Sequence, residues 1–203
     1  MFGERTAARD LKRYRRRGPS KPTRLLLDAI RAEGVEGATV LDVGGGVGAI
    51  QQELLDAGAA SATGVDASTA YLRAAEEEAR RRGRDDRVSY RHGDFVEVAA
   101  SIEPADVVTL DRVICCYPDV EALVGRSAER ARRTYGLVYP REEWWTKLGV
   151  GAINLGLRVM RSDFRVHVHP DAAVDAVTRA HGLEPRLHRR AGPFWQVAVF
   201  ARA

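Results

Sequence analysis

Three acidic residues in the first half of the chain stand in or just after short apolar runs. They are Asp42 in Val40-Leu41-Asp42-Val43, Asp66 in Gly64-Val65-Asp66, and Asp94 in Gly93-Asp94-Phe95. The first run empties into Gly44-Gly45-Gly46-Val47-Gly48. Glycine has no Cβ, so a ligand can approach the backbone of such a turn closely. An acidic residue after the second strand of a strand–helix–strand unit can hold ribose hydroxyls. Loop and acids together describe a site for an adenosine-containing cofactor.

The spacing narrows the cofactor. A dinucleotide fingerprint needs G-x-G-x-x-G, and no glycine lies three residues after Gly46. The P-loop pattern fails as well, since no Gly-Lys-Ser/Thr follows. Asp42-x-Gly44-x-Gly46, with Asp66 and Asp94 downstream, resembles the class I S-adenosylmethionine-dependent methyltransferases. The resemblance covers roughly residues 38–118. It implies that Gly44 and Gly46 face the methionine part of S-adenosyl-L-methionine, that Asp66 takes the ribose hydroxyls, and that Asp94 approaches the adenine amine. Asp42, Ala67, Ser68, Phe95, Asp111 and Arg112 are the further cofactor contacts expected.

The acceptor side should lie where the fourth strand ends, in Leu110-Asp111-Arg112-Val113-Ile114-Cys115-Cys116-Tyr117-Pro118. This segment and Gly136-Leu137-Val138-Tyr139-Pro140 are similar to those of the magnesium-protoporphyrin O-methyltransferases and their relatives. No Asn/Asp-Pro-Pro-Tyr/Phe follows the fourth strand, which argues against an amine methylase of the kind that acts on adenine or glutamine. No Asp-Asn pair is present, which argues against the Mg²⁺ site of catechol-type enzymes, so no metal is expected. Candidate acceptor contacts are Arg112, Cys116, Tyr117, Trp144 and Trp145. Arg112 could pair with an anionic acceptor or with a carboxylate of the leader or a neighbouring helix. The two tryptophans are read either as acceptor wall or as core. Methyl transfer from a sulfonium needs alignment above all. A carboxylate acceptor needs no base, whereas a hydroxyl benefits from one. His167 and His169 alternate in Arg165-Val166-His167-Val168-His169, so in a strand they would point the same way, and they are the candidate bases.

The elements that must position these residues read as alternating strands and helices. Strands are expected at 39–43, 61–66, 87–91, 106–110 and 134–139, with helices at 49–57, 68–82 and 119–132. A helix at 171–181 and a hairpin of 184–190 and 194–201 close the chain. Such a series folds as a doubly wound α/β sheet, and the hairpin gives a mostly parallel, seven-stranded, Rossmann-like methyltransferase sheet with an antiparallel end. One domain over residues 1–203 is expected, divided into an N-terminal lid or helix (1–37), a cofactor core (38–140), an acceptor-pocket insert (141–169) and the closing helix and hairpin (170–203). The Arg-rich residues 1–18 read as a solvated, partly frayed leader. The alternative is a lid with Tyr14 closing over the cofactor.

Composition agrees with a globular enzyme: 203 residues, 45% hydrophobic and 30% charged. The formal charge of +4 raises nucleic acid as a partner. Yet only Lys12, Lys21 and Lys147 are lysines, so the other 29 of 32 basic residues are arginine, and 28 acids offset them. The expected partner is a small-molecule acceptor rather than nucleic acid or a membrane. Cys115 and Cys116 are adjacent, which suits neither a disulfide framework nor a metal pair. Without an apolar core in the leader, a cytoplasmic location is expected. The best-supported activity is methyl transfer to a small molecule, at oxygen. The competitors are an RNA methylase, an NAD-dependent oxidoreductase, which the glycine spacing and the lack of a Tyr-x-x-x-Lys pair disfavour, and a non-catalytic cofactor-binding subunit.

Overall fold

The computed structural model describes residues 3–162 and 164–202. Five parallel strands come first: β1 (Thr39–Val43), β2 (Ser61–Asp66), β3 (Val88–His92), β4 (Ala105–Asp111) and β5 (Ala131–Pro140). The closing pair, β6 (Leu183–Ala191) and β7 (Trp195–Arg202), is antiparallel, and β7 slots between β5 and β6. The sheet order is β3-β2-β1-β4-β5-β7-β6. The expected seven-stranded methyltransferase sheet is therefore the one observed.

Helices cover both faces. They are α1 (Glu4–Arg17), α2 (Lys21–Ala32), α3 (Ala49–Asp56), α4 (Thr69–Arg81), the single turn α5 (Phe95–Val98), α6 (Val120–Glu129), α7 (Trp144–Val159) and α8 (Asp171–Ala180). Alternation along β1 sends Leu41 and Val43 to one face and Val40 to the other. The first face meets α5, α6 and α8 in a core that includes Leu110, Tyr135, Leu137 and Phe200. The second packs Val40, Val107, Val138 and Val199 against Leu26, Leu27 and Ile30 of α2 and Leu54 of α3. Helix starts are set by side chains that accept a free backbone N–H. Ser68 takes Tyr71 N at 3.4 Å to open α4, and Asp119 takes Ala122 N at 2.9 Å to open α6.

Two expectations about elements need correcting. The helix expected at 119–132 stops at Glu129, because Ala131 pairs with Ala105 and residues 131–133 join β5. Strand pairing there outweighs local helix propensity. The leader is a helix rather than a frayed tail. Ala7, Leu11 and Tyr14 form its inward stripe and pack on Ala74 of α4.

Candidate active site

Strand order reverses between β1 and β4, each of which leads away from the other to its own half of the sheet. A crevice opens at the carboxyl ends of strands at such a point. Here it is a cavity of about 1060 Å³. Its wall includes Asp42, Gly44, Gly46, Asp66, Ala67, Ser68, Asp94, Phe95, Asp111, Arg112, Cys116 and Tyr117.

Each glycine of the loop answers a different constraint. A Cβ on Gly44 would run into the Val113 side chain. One on Gly45 would lie 2.6 Å from both Asp42 Oδ2 and Gln51 Nε2. One on Gly46 would meet nothing within 4 Å, so this residue borders open cavity. Gly44 and Gly46 also hold φ of 64° and 55°, a region that favours glycine.

Asp42 supports the loop from below. It is 1% exposed, accepts the Thr109 hydroxyl at 2.8 Å and accepts the Gln51 amide at 3.2 Å. Burial pushes its carboxyl up to about 7. Asp66, at the end of β2, ties loop to helix: Oδ2 accepts Gly46 N at 3.0 Å and Oδ1 accepts Ser68 N at 2.8 Å. Burial raises its pKa too. Both oxygens are engaged, but each keeps a second lone pair for a ligand.

Asp94 opens α5 by accepting Val96 N at 2.9 Å, and its other oxygen accepts the Tyr117 hydroxyl at 3.1 Å. Burial, with that bond, pushes the Tyr117 phenol up to about 12, so it stays a donor. Asp111 accepts the Thr23 hydroxyl at 2.7 Å and the Arg112 Nε at 2.9 Å. Arg112 has φ of 63°, one of two non-glycine residues in the left-handed region among those described. The tight turn folds its guanidinium back onto its own neighbour, so its partner is Asp111 and not the leader or α6.

Several expected site residues lie elsewhere. Tyr14 is buried against α4; its hydroxyl donates to Glu53 at 3.1 Å and accepts from Arg82 at 2.9 Å. The leader reaches the cavity through Gly3, Glu4, Asp10 and Arg13 instead. Trp144 and Trp145 are neither acceptor wall nor core: both are exposed, in edge-to-face contact at 5.7 Å, with the Arg141 guanidinium over Trp145. From the insert, Phe164 is the described residue that lines the cavity. His167 and His169 are in irregular backbone, not a strand, and neither lines the cavity. His167 N donates to Cys115 O at 2.7 Å, and the His169 ring sits 2.9 Å from Tyr117 O and 3.2 Å from Ile114 O. They fasten the insert to the turn after β4. Burial lowers the His169 pKa, keeping it neutral for that purpose. Cys115 is buried, and its contact with Cys116 and its burial push its thiol up.

Thr23, Asp10, Tyr71 and Phe164 were not singled out from sequence. Asp10 accepts the Tyr71 hydroxyl at 2.8 Å, both on the cavity wall. The signal was present for Asp10, the lone acid between Arg9 and Arg17. Among the described residues no group of three or more His, Cys, Asp or Glu could hold a metal ion.

Comparison with known proteins accords with this geometry. Residues 40–134 match the family model described as a methyltransferase domain. No curated protein matches the chain. Among solved structures, the magnesium protoporphyrin IX methyltransferase of Synechocystis PCC 6803 with bound SAH superposes with a TM-score of 0.70 at 17% identity, over 88% of this chain and 80% of that one. The geranyl diphosphate C-methyltransferase of Streptomyces coelicolor gives 0.71 at 14%, over 89% and 76%. An O-methyltransferase family protein of Burkholderia thailandensis gives 0.69 at 19%, over 89% and 56%. At these identities the likeness carries the fold alone. Residues 40–134 thus match a methyltransferase domain, within a chain that has the fold of these enzymes, one of which was solved with bound S-adenosyl-L-methionine (SAM). The open cavity beside Gly46 and the free lone pairs of Asp66 fit that group.

Proposed function

We propose that the chain methylates an oxygen of a small-molecule acceptor without a metal, and that a carboxylate oxygen suits the site best. One observation carries the reading. The cleft that borders the glycine loop, Asp66 and Asp94 continues along a second wall of Arg112, Val113, Cys116, Tyr117 and Phe164. The adenosine-binding loops do not account for that wall, and it is of a size and polarity for a small acceptor.

In this reading Gly44 and Gly46 lie along the methionine part, Asp66 accepts the ribose hydroxyls, and Asp94 with Phe95 borders the adenine. S-adenosyl-L-methionine supplies a methyl group already activated as part of a sulfonium. The work left to the protein is to align the acceptor and exclude water. The leader residues Glu4, Asp10 and Arg13 and the insert residue Phe164 also line the cleft. Among the described residues no histidine lines the cavity, and an acceptor that is anionic without a base needs none. Arg13 and Arg112 are the cations on the wall, paired with Asp10 and Asp111, and such a group would engage Arg112 by sharing it with Asp111. The basic leader, the feature that raised an RNA acceptor, is a docked helix with Arg15 committed to Glu77 and Glu78 and with Arg5, Arg9, Lys12 and Arg16 exposed.

The test is a screen of carboxylic acids and phenols with methyl-labelled cofactor, before and after exhaustive EDTA treatment. Label should enter a small molecule, survive EDTA, and be lost in mild alkali as an ester would be. Label recovered in RNA, or turnover that EDTA abolishes and Mg²⁺ restores, would overturn the proposal.

A further inference from the structure

Helix α7 turns most of its surface to solvent, and only Thr146 and Val150 are buried along it. Trp144, Leu148, Leu155 and Val159 recur at i, i+4, i+11 and i+15, which is one face of a helix. They are 71%, 68%, 64% and 77% exposed. Trp145 and Met160 widen the patch. A contiguous apolar surface of this kind marks an interaction site.

Charge identifies the occupant. Residues 144–162 contain Lys147, Arg158 and Arg161 and no acid. Lys147 pairs with Glu142 at 2.9 Å, whereas Arg158 and Arg161 are exposed with no carboxylate partner among the described residues. A second copy of this helix would bring only like charge to meet them. A second basic stripe lies on α1: Arg5, Arg9, Lys12 and Arg16, all exposed, stand opposite the buried Ala7, Leu11 and Tyr14. Both elements adjoin the same cavity, α1 through Glu4 and Arg13 and the α7 segment through Phe164. Apolar face, tryptophans at one end and unpaired arginines beside it are the chemistry of a helix lying in a membrane interface.

We propose that α7 is an interfacial helix that lays its Trp144-to-Val159 face into an anionic lipid surface, with Arg158, Arg161 and the α1 stripe supplying the attraction to the headgroups. This is surface docking and not a span, since no described helix is long and apolar enough to cross a membrane. It revises the expectation that no membrane is involved, and it stands whether or not the acceptor reading above holds.

Flotation of the full chain tests it, using vesicles of phosphatidylcholine and phosphatidylglycerol in equal parts and vesicles of phosphatidylcholine alone. The chain should float with the mixed vesicles, with a blue shift of tryptophan emission, and high salt should release it. The Leu148→Glu, Leu155→Glu variant should bind at least ~10-fold more weakly, since burying one leucine side chain is worth about a decade or more. Its melting and its affinity for S-adenosylhomocysteine should not change, because both leucines are exposed. The Arg158→Glu, Arg161→Glu variant should lose the same binding while leaving the apolar face intact. No flotation with mixed vesicles, equal flotation with neutral ones, or unaltered binding by both variants would overturn the proposal. So would a dimer that the leucine variant dissolves, because a second copy would then cover the face.

Discussion

Asp42→Asn is the perturbation that reads the glycine-loop support most directly. The carboxylate is fully buried and pushed from the ordinary 3.8 up to about 7. The unfolded chain therefore ionises Asp42 from about pH 4 upward, while the folded chain keeps it protonated until about pH 7. Across that window the native state holds more protons, so stability falls as pH rises and levels off once the folded group has ionised. About three pH units at ~1.4 kcal/mol each give a loss of ~4 kcal/mol. An amide has no such term. It also fits the space: the new amide oxygen accepts the Thr109 hydroxyl, and the new NH₂ needs an acceptor where Gln51 Nε2 now points. Gln51 Oε1 is buried without a hydrogen-bond partner, so a half-turn of the Gln51 amide supplies one. Urea unfolding of both proteins from about pH 4 to about pH 8 is the assay. The two should be close in stability at the acid end, and the variant should lead by up to ~4 kcal/mol at the alkaline end. A difference that does not vary with pH would refute the claim that folding keeps this carboxyl protonated.

Two further outcomes follow from the site. Asp66→Ala removes the acceptor of the Gly46 and Ser68 N–H groups together with the ligand contact, so calorimetry should give at least ~10-fold weaker binding of S-adenosylhomocysteine, and unchanged affinity in a folded variant would remove Asp66 from the site. His169→Ala should lower the melting temperature without changing turnover per folded molecule. Because burial lowers its pKa, the stability His169 contributes should fade as pH drops below ~6.5. A histidine limb in the pH–rate profile that this substitution abolishes would reinstate it as a base.

The alternation of strands and helices and the cofactor half were legible because period and punctuation agree there. Val40 to Val43 is a buried run, a glycine turn follows, and Ser68 caps the next helix, so each local signal names the same element. The strand starts were within a residue or two except at Ala131, where pairing with Ala105 is non-local and invisible in Glu129-Arg130-Ala131-Arg132. The acceptor half was less legible. Alternation in residues 165–169 implied a strand, but no neighbouring strand is there to pair with it, and its backbone bonds run to Cys115 and to the Asn154 side chain instead. The lid alternative for Tyr14 rested on its position in a basic run; the i, i+4, i+7 spacing of Ala7, Leu11 and Tyr14 was the signal that it faces inward.

What joins the two halves is the turn after β4. Residues 111–117 meet α2, α5, the glycine loop and the insert. Asp111 accepts the Thr23 hydroxyl, which ties the first turn of α2 to the strand end. Tyr117 donates to Asp94, which opens α5 on the wall of the cavity. Cys115, Ile114 and Tyr117 present carbonyls to the histidines of the insert. Val113 fills the space that a side chain on Gly44 would need. The left-handed backbone of Arg112 turns the chain at the strand end from which these contacts are made. A conformation costly for arginine thus stands at a turn through which α2, α5, the glycine loop and the insert are connected.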